Sequence, residues 1–261
     1  MTRAIGPWIR RLAPELARAD RIRRLTGISR QDWRELQGGF PDLPPDLGPR
    51  AARSRERLRR LSSRALSTGR WPVRLEGDPP SAERLVFLTA HVGALQALRY
   101  VLRARGIAVS SVLGPLNLER SAAERLDEVF DRKHPLDFPH ALAASRVHRL
   151  RVALRTGCLI LAADLPEGPA IEQPLLGGCL RVDPRPLRLA RAARVACRAA
   201  FLTQTGRSWT LTLGAPLPRE ESAACALFAD LLDRVVRRSP EELDGVVYRA
   251  LAKGAREGLR P

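Results

Sequence analysis

From Trp71 onward, short apolar runs alternate with longer segments that have apolar residues on one side only. The clearest run, residues 85–90, reads LVFLTA and has no charged residue, which is typical of a strand buried on both faces. Further runs predict strands at residues 107–113, 158–163, 199–205 and 209–213. Alternation of strands and helices favours an α/β fold in which helices flank a mostly parallel central sheet.

The segments between these runs have the period of a helix. In residues 94–105, Leu95, Leu98, Val101 and Leu102 share one face, and Gly106 follows as a C-terminal cap. The same reasoning predicts helices at residues 121–131, 142–155 and 187–194, and a final helix capped by residues 239–241.

The first 70 residues form a basic region with helical spacing, and a helix with one basic side is predicted at residues 51–66. A chain of 261 residues is within the usual size of one α/β domain. We therefore expect a single domain over residues 1–261, with basic N-terminal helices in 1–70 and the α/β core in 71–261.

The chain is strongly basic, with 45 Lys and Arg against 28 Asp and Glu, for a formal net charge of +17. Such a surface attracts nucleic acid, anionic lipid headgroups or an acidic carrier protein. Nucleic acid ranks last, because no nucleic-acid-binding motif is present and only 5% of the residues are aromatic. No apolar run reaches the ~18–20 residues of a membrane span, so we expect a cytoplasmic protein, either free or peripheral on the inner face of the membrane.

The four cysteines have neither CxxC spacing nor a metal-ligand pattern with histidine, so no metal is expected. Cys158 and Cys197 lie in apolar runs, which predicts buried free thiols.

Two predicted strands end at reactive side chains. His91 follows the strand at residues 85–90, and Asp164 follows the strand at residues 158–163. Ligands gather at the carboxyl ends of strands in parallel sheets, so these two residues indicate a site. The structural alternatives are a packed histidine at a strand end and an aspartate that caps a helix.

Residues 88–96, LTAHVGALQ, resemble the HxxxxE/D block of glycerolipid and lipid A acyltransferases. A second block, residues 153–201, is similar to lipid A acyltransferases in the order of its parts: an apolar strand with a terminal acid, a glycine, a glycine turn and a small-residue helix. The residues on those positions are Asp164, Gly168, Gly177 and 189–191. The likeness spans residues 80–215, about half the chain, and indicates the bacterial lauroyl/myristoyl acyltransferase family within the lysophospholipid acyltransferase-like superfamily.

The resemblance implies transfer of a fatty acyl chain from an acyl-carrier-protein or acyl-CoA thioester to a hydroxyl or amine, with no further cofactor. His91 would be the general base, because its ordinary pKa lies near the operating pH. The family acid stands five positions later, where this chain has Gln96, whose amide can orient the ring but cannot stabilise its cation. Asp164 is the first candidate to supply the negative charge that Gln96 lacks, and Glu167 is the second.

The resemblance also places Glu167 and Gly168 in the substrate site and matches Asn117 and Arg120 to a polar loop of the family. An acidic acyl-carrier protein is the expected partner, and an anionic membrane surface is the other. The chain is then either an active acyltransferase or a degenerate relative that binds an acyl thioester or lipid and serves a partner enzyme. Acceptor, acyl length and oligomeric state stay open.

Overall fold

The structure is a computed structural model. It describes residues 33, 43–68, 73–79, 84–113, 141–143, 146–166, 168–205 and 208–258. Within these ranges the description does not extend to the side chains of residues 58–68, 96, 113, 141, 143, 205 and 252–258.

A seven-stranded sheet forms the centre of the described part of the chain, in the order β1-β9-β8-β2-β5-β3-β4. Its strands are β1 (Val73–Glu76), β2 (Leu85–Thr89), β3 (Val109–Leu113), β4 (Ala141–Ala143), β5 (Cys158–Ala162), β8 (Ala196–Thr205) and β9 (Ser208–Pro216). Neighbouring strands pair in parallel except β8 and β9, which pair antiparallel. A separate antiparallel hairpin joins β6 (Ile171–Leu175) to β7 (Gly178–Val182).

Helices cover both faces of this sheet. They are α1 (Leu47–Thr68), α2 (Leu95–Arg103), α3 (Val147–Ala153), α4 (Arg185–Ala193), α5 (Glu221–Arg238) and α6 (Gly245–Gly258), with a 3-10 helix at Pro240–Glu242. Successive side chains of a strand point to opposite faces. Accordingly, Val86 and Leu88 pack in a core with α1, α3, α4, α5 and α6, whereas Leu85 and Phe87 pack in a second core with α2.

The predicted fold class, a mostly parallel sheet flanked by helices, is confirmed. The helix predicted at residues 51–66 is α1, and its Leu47 and Ala51 are buried in the larger core. Cys158 and Cys197 are buried free thiols, as predicted. No described helix is both long enough and apolar enough to cross a bilayer.

Two secondary-structure predictions need correction. The helix predicted from residue 142 begins at Val147, because Leu142 pairs with Val112 in a strand ladder that helical periodicity cannot reveal. The proposed cap at residues 239–241 opens a 3-10 helix instead, and Ser239 makes no side-chain cap bond there.

Helix α5 was not predicted from the sequence. Its start has a local signal, since the Glu220 carboxylate accepts hydrogen bonds from the backbone N–H groups of Ser222 and Ala223. The helix predicted at residues 121–131 lies outside the described residues.

Candidate active site

The parallel pairing of β2 and β5 brings His91 and Asp164 together. Thr89 of β2 is opposite Ala162 of β5. His91 and Asp164 each lie two residues further along, so the register of the two strands makes them neighbours at the carboxyl edge of the sheet.

Asp164 accepts two hydrogen bonds from His91. The distance from His91 Nδ1 to Asp164 Oδ1 is 2.8 Å, and the His91 backbone N–H donates to Asp164 Oδ2 at 2.6 Å. An ionised carboxylate only accepts, so Nδ1 carries the ring hydrogen and Nε2 of the neutral imidazole has a free lone pair. The Asp164 side chain is 0% exposed and that of His91 is 32% exposed, so the ring is accessible while its partner is sealed from water.

Opposing influences act on the basicity of the ring. Burial lowers the pKa of His91, but the hydrogen bond and negative charge of Asp164, with the charge of Asp244, outweigh it. Arg55 opposes the increase. The net result is a pKa above the ordinary 6.5, which favours an imidazole that takes up and holds a proton.

The loop after His91 is fastened through its backbone. Gly93 has φ +60°, and a Cβ built there would lie 2.1 Å from the carbonyl oxygen of Leu202. Its N–H donates to the Glu242 carbonyl at 2.9 Å, and the Ala94 N–H donates to the Leu202 carbonyl at 2.8 Å. Glycine is required here by both its conformation and the space available.

Two charged residues near His91 were missed by sequence reasoning. The Asp244 N–H donates to the His91 carbonyl at 2.7 Å, and the Asp244 carboxylate accepts from Arg55 of α1 at 3.0 Å. These residues lie 189 positions apart, so no local pattern links them.

Of the other candidate site residues from the sequence, only Gly168 is fully described. Gly168 is described, and its carbonyl accepts from the exposed guanidinium of Arg181 at 3.4 Å. Gln96 lies in α2, but its side chain is outside the described part. Asn117, Arg120 and Glu167 lie outside the described residues.

A small cleft with a mixed polar and apolar lining adjoins Asp164. It has a volume of about 170 Å³, and its lining includes Arg181 and Asp164 as well as Leu165, Leu180 and Leu251. The leucines provide an apolar surface that part of an apolar substrate could contact.

No family model matches the chain, and no curated protein is similar to it in sequence. Among solved structures, the crystal structure of the 1-acyl-sn-glycerophosphate (LPA) acyltransferase PlsC from Thermotoga maritima is similar over 96% of this chain and 100% of that chain. The TM-score is 0.36 and the sequence identity 13%, and a likeness of that size carries no argument about function.

Proposed function

We propose that the protein is an acyltransferase that moves a fatty acyl group from a carrier-protein or CoA thioester to a hydroxyl or amine acceptor. The observation that carries the proposal is the hydrogen bond of 2.8 Å between His91 Nδ1 and the buried Asp164 carboxylate. That bond directs the free lone pair of Nε2 away from Asp164, on a ring that is partly exposed.

The reaction follows from this arrangement. His91 Nε2 takes the proton of the acceptor as its oxygen or nitrogen attacks the thioester carbonyl. The tetrahedral intermediate expels the thiolate as the C–S bond breaks, and the imidazolium returns the proton to that sulfur. Asp164 stabilises the imidazolium in between, as the aspartate of a serine-protease triad does.

Asp164 supplies the charge that the HxxxxE/D motif normally provides five positions after the histidine. Gln96 at that position has no charge, whereas the Asp164 carboxylate reaches the ring from just beyond the end of β5. The same residue lines the small cleft, and we place the part of the acyl chain nearest the reacting carbonyl against the leucines of that cleft.

An acidic acyl-carrier protein is the partner that best complements a net charge of +17. An anionic membrane surface is the other candidate for the same charge, on the cytoplasmic side.

The test of the proposed function is His91→Gln. Glutamine keeps an N–H donor for Asp164 but has no basic nitrogen, so acyl transfer should fall by roughly 10²- to 10⁴-fold, the usual contribution of a general base. The measurement is mass spectrometry of acceptor products, with a panel of acyl-carrier-protein and acyl-CoA thioesters.

His148→Gln is the matched control, because that histidine lies exposed on α3. It should transfer acyl groups at the wild-type rate. Turnover by His91→Gln at the rate of this control would contradict the assignment of the base.

One observation favours a second candidate function. Gln96 occupies the acid position of the motif, so the chain would also suit a protein that binds an acyl thioester and serves a partner enzyme. Saturable binding of the thioester by the wild type, with no transfer to any acceptor, would select that function.

A further inference from the structure

The segment 242–244 runs antiparallel to the His91 loop and is joined to it by two backbone hydrogen bonds. Gly93 N–H donates to the Glu242 carbonyl at 2.9 Å, and Asp244 N–H donates to the His91 carbonyl at 2.7 Å. Between these bonds, Val92 forms a β-bridge with Leu243. The conformation of the loop is therefore tied to a segment about 150 residues away in the chain.

Arg55 of α1 donates hydrogen bonds both to the His91 loop and to the segment 242–244. One Nη donates to Asp244 Oδ2 at 3.0 Å, and the other donates to the Gly93 carbonyl at 3.4 Å. Asp244 is fixed at its other oxygen as well, since Oδ1 accepts from the Val246 N–H at the start of α6. The guanidinium thus joins α1, the His91 loop and α6.

The two charges act on His91 in opposite senses. A carboxylate near the ring stabilises the imidazolium, and a guanidinium destabilises it. The side chains of Arg55 and Asp244 are 24% and 31% exposed, so water screens their charges only in part.

We propose that Arg55 and Asp244 are positioning residues that hold the His91 loop and balance the charge beside the imidazole, which makes α1 part of the active site. The catalytic consequence depends on the proposed acyltransferase function, whereas the effect on His91 does not.

A second ion pair provides a matched control. Arg50, also on α1, donates to Glu241 at 3.1 Å, so it too joins α1 to the segment before α6. Its side chains are 37% and 24% exposed, similar to those of the first pair, but no described hydrogen bond links them to the His91 loop. An ion pair that only fastened α1 would have the same small effect at both places.

The experiment is an NMR titration of the His91 ring in the full-length protein, which needs no substrate. Asp244→Asn keeps a side-chain oxygen for Val246 but removes the negative charge, so the pKa of His91 should fall. Arg55→Gln removes the positive charge, so the pKa should rise. Arg50→Gln should leave the titration of His91 unchanged while it weakens α1 packing to a similar small extent.

The double variant Arg55→Gln/Asp244→Asn removes the positive and the negative charge together. It tests the proposal if either single variant fails to fold. Its His91 should titrate between the two single variants. Shifts of the same sign in both single variants, or a double variant that titrates outside them, would overturn the proposal. The proposal would also be overturned if Arg50→Gln shifted the pKa of His91 as much as Arg55→Gln does. Lack of acyl transfer by the wild type would instead count against the proposed function, with the titration unaffected.

Discussion

At the scale of single residues, the site depends on one buried carboxylate that accepts both the ring N–H and the backbone N–H of His91. A residue with both bonds determines which ring nitrogen of the histidine carries the hydrogen and also where the ring lies. Gln96, at the acid position of the motif, has no charge with which to stabilise the imidazolium.

Asp164→Asn should therefore cost far more activity than Gln96→Ala. Removing the carboxylate removes the main influence that raises the pKa of His91, so the ascending limb of kcat/KM should move to lower pH. The plateau should fall by up to roughly four orders of magnitude, as in the comparable change in a serine protease. Both effects appear in one pH–rate profile with a single acyl thioester, and equal losses in the two variants would show that Asp164 does not partner the base.

At the scale of elements, the loop between β2 and α2 fixes the position of His91 beyond the end of its strand. Its backbone N–H groups bond to β8 and to the 3-10 helix, so the loop has little freedom once those elements are in place. Gly93, in the middle of this loop, leaves no space for a side chain.

The close fit of this loop can be tested by comparing Gly93→Ala with Gly106→Ala, at a glycine that follows α2. Both glycines have positive φ, at +60° and +79°, but an added Cβ meets the Leu202 carbonyl at 2.1 Å in the first and nothing within 4 Å in the second. Gly106→Ala should lower the free energy of unfolding by about 1–2 kcal/mol, the cost of the left-handed conformation. Gly93→Ala should cost a further ~1–3 kcal/mol of overpacking and displace the His91 ring resonances.

Urea unfolding and a ¹³C–¹H spectrum of the histidines provide both readouts. Similar losses in the two variants, with unchanged His91 resonances, would contradict a close fit of this loop against β8.

At the scale of the whole molecule, a second carboxylate lies buried where the loop, β8 and the 3-10 helix meet. Glu242 is 3% exposed, and its carboxylate accepts from the Gln204 N–H at 2.9 Å. Burial raises the pKa of Glu242 to about 8, against the opposing effect of that hydrogen bond. The folded protein therefore keeps a proton here that the unfolded chain loses near its ordinary value of 4.5.

The free energy of unfolding should fall as pH rises from about 5 to about 8, because the folded state binds more protons than the unfolded chain throughout that window. Glu242→Gln keeps the acceptor for Gln204 but cannot ionise, so it should remove up to roughly 5 kcal/mol of this dependence. Urea unfolding at the two pH values measures it. Glu76→Gln removes a carboxylate of β1 that is 29% exposed and does not act on Glu242, so it should keep the wild-type slope. An unchanged slope in Glu242→Gln would contradict the assignment.

Much of the fold could be predicted from local pattern. Residues 85–90 are recognisable as a buried strand because burial on both faces requires an uninterrupted apolar run. The same local signals placed α1, α2, α4 and the histidine at a strand end, since helical period and capping depend on neighbours within a few residues. The strand β4 and the helix α5 were missed, the first because three residues carry no usable period and pair only with a distant strand.

The sequence by itself determined the strand–helix alternation, the buried thiols and the position of His91 after β2. Only the tertiary structure decided what surrounds that histidine. The order of strands in the sheet placed Asp164 two residues beyond β5 against the ring, and the packing of α1 and the 3-10 helix brought Arg55, Asp244 and Glu242 to the same loop. These contacts join residues up to 189 positions apart, and the free energy that selects them comes from packing of the whole core, which no local window of sequence contains.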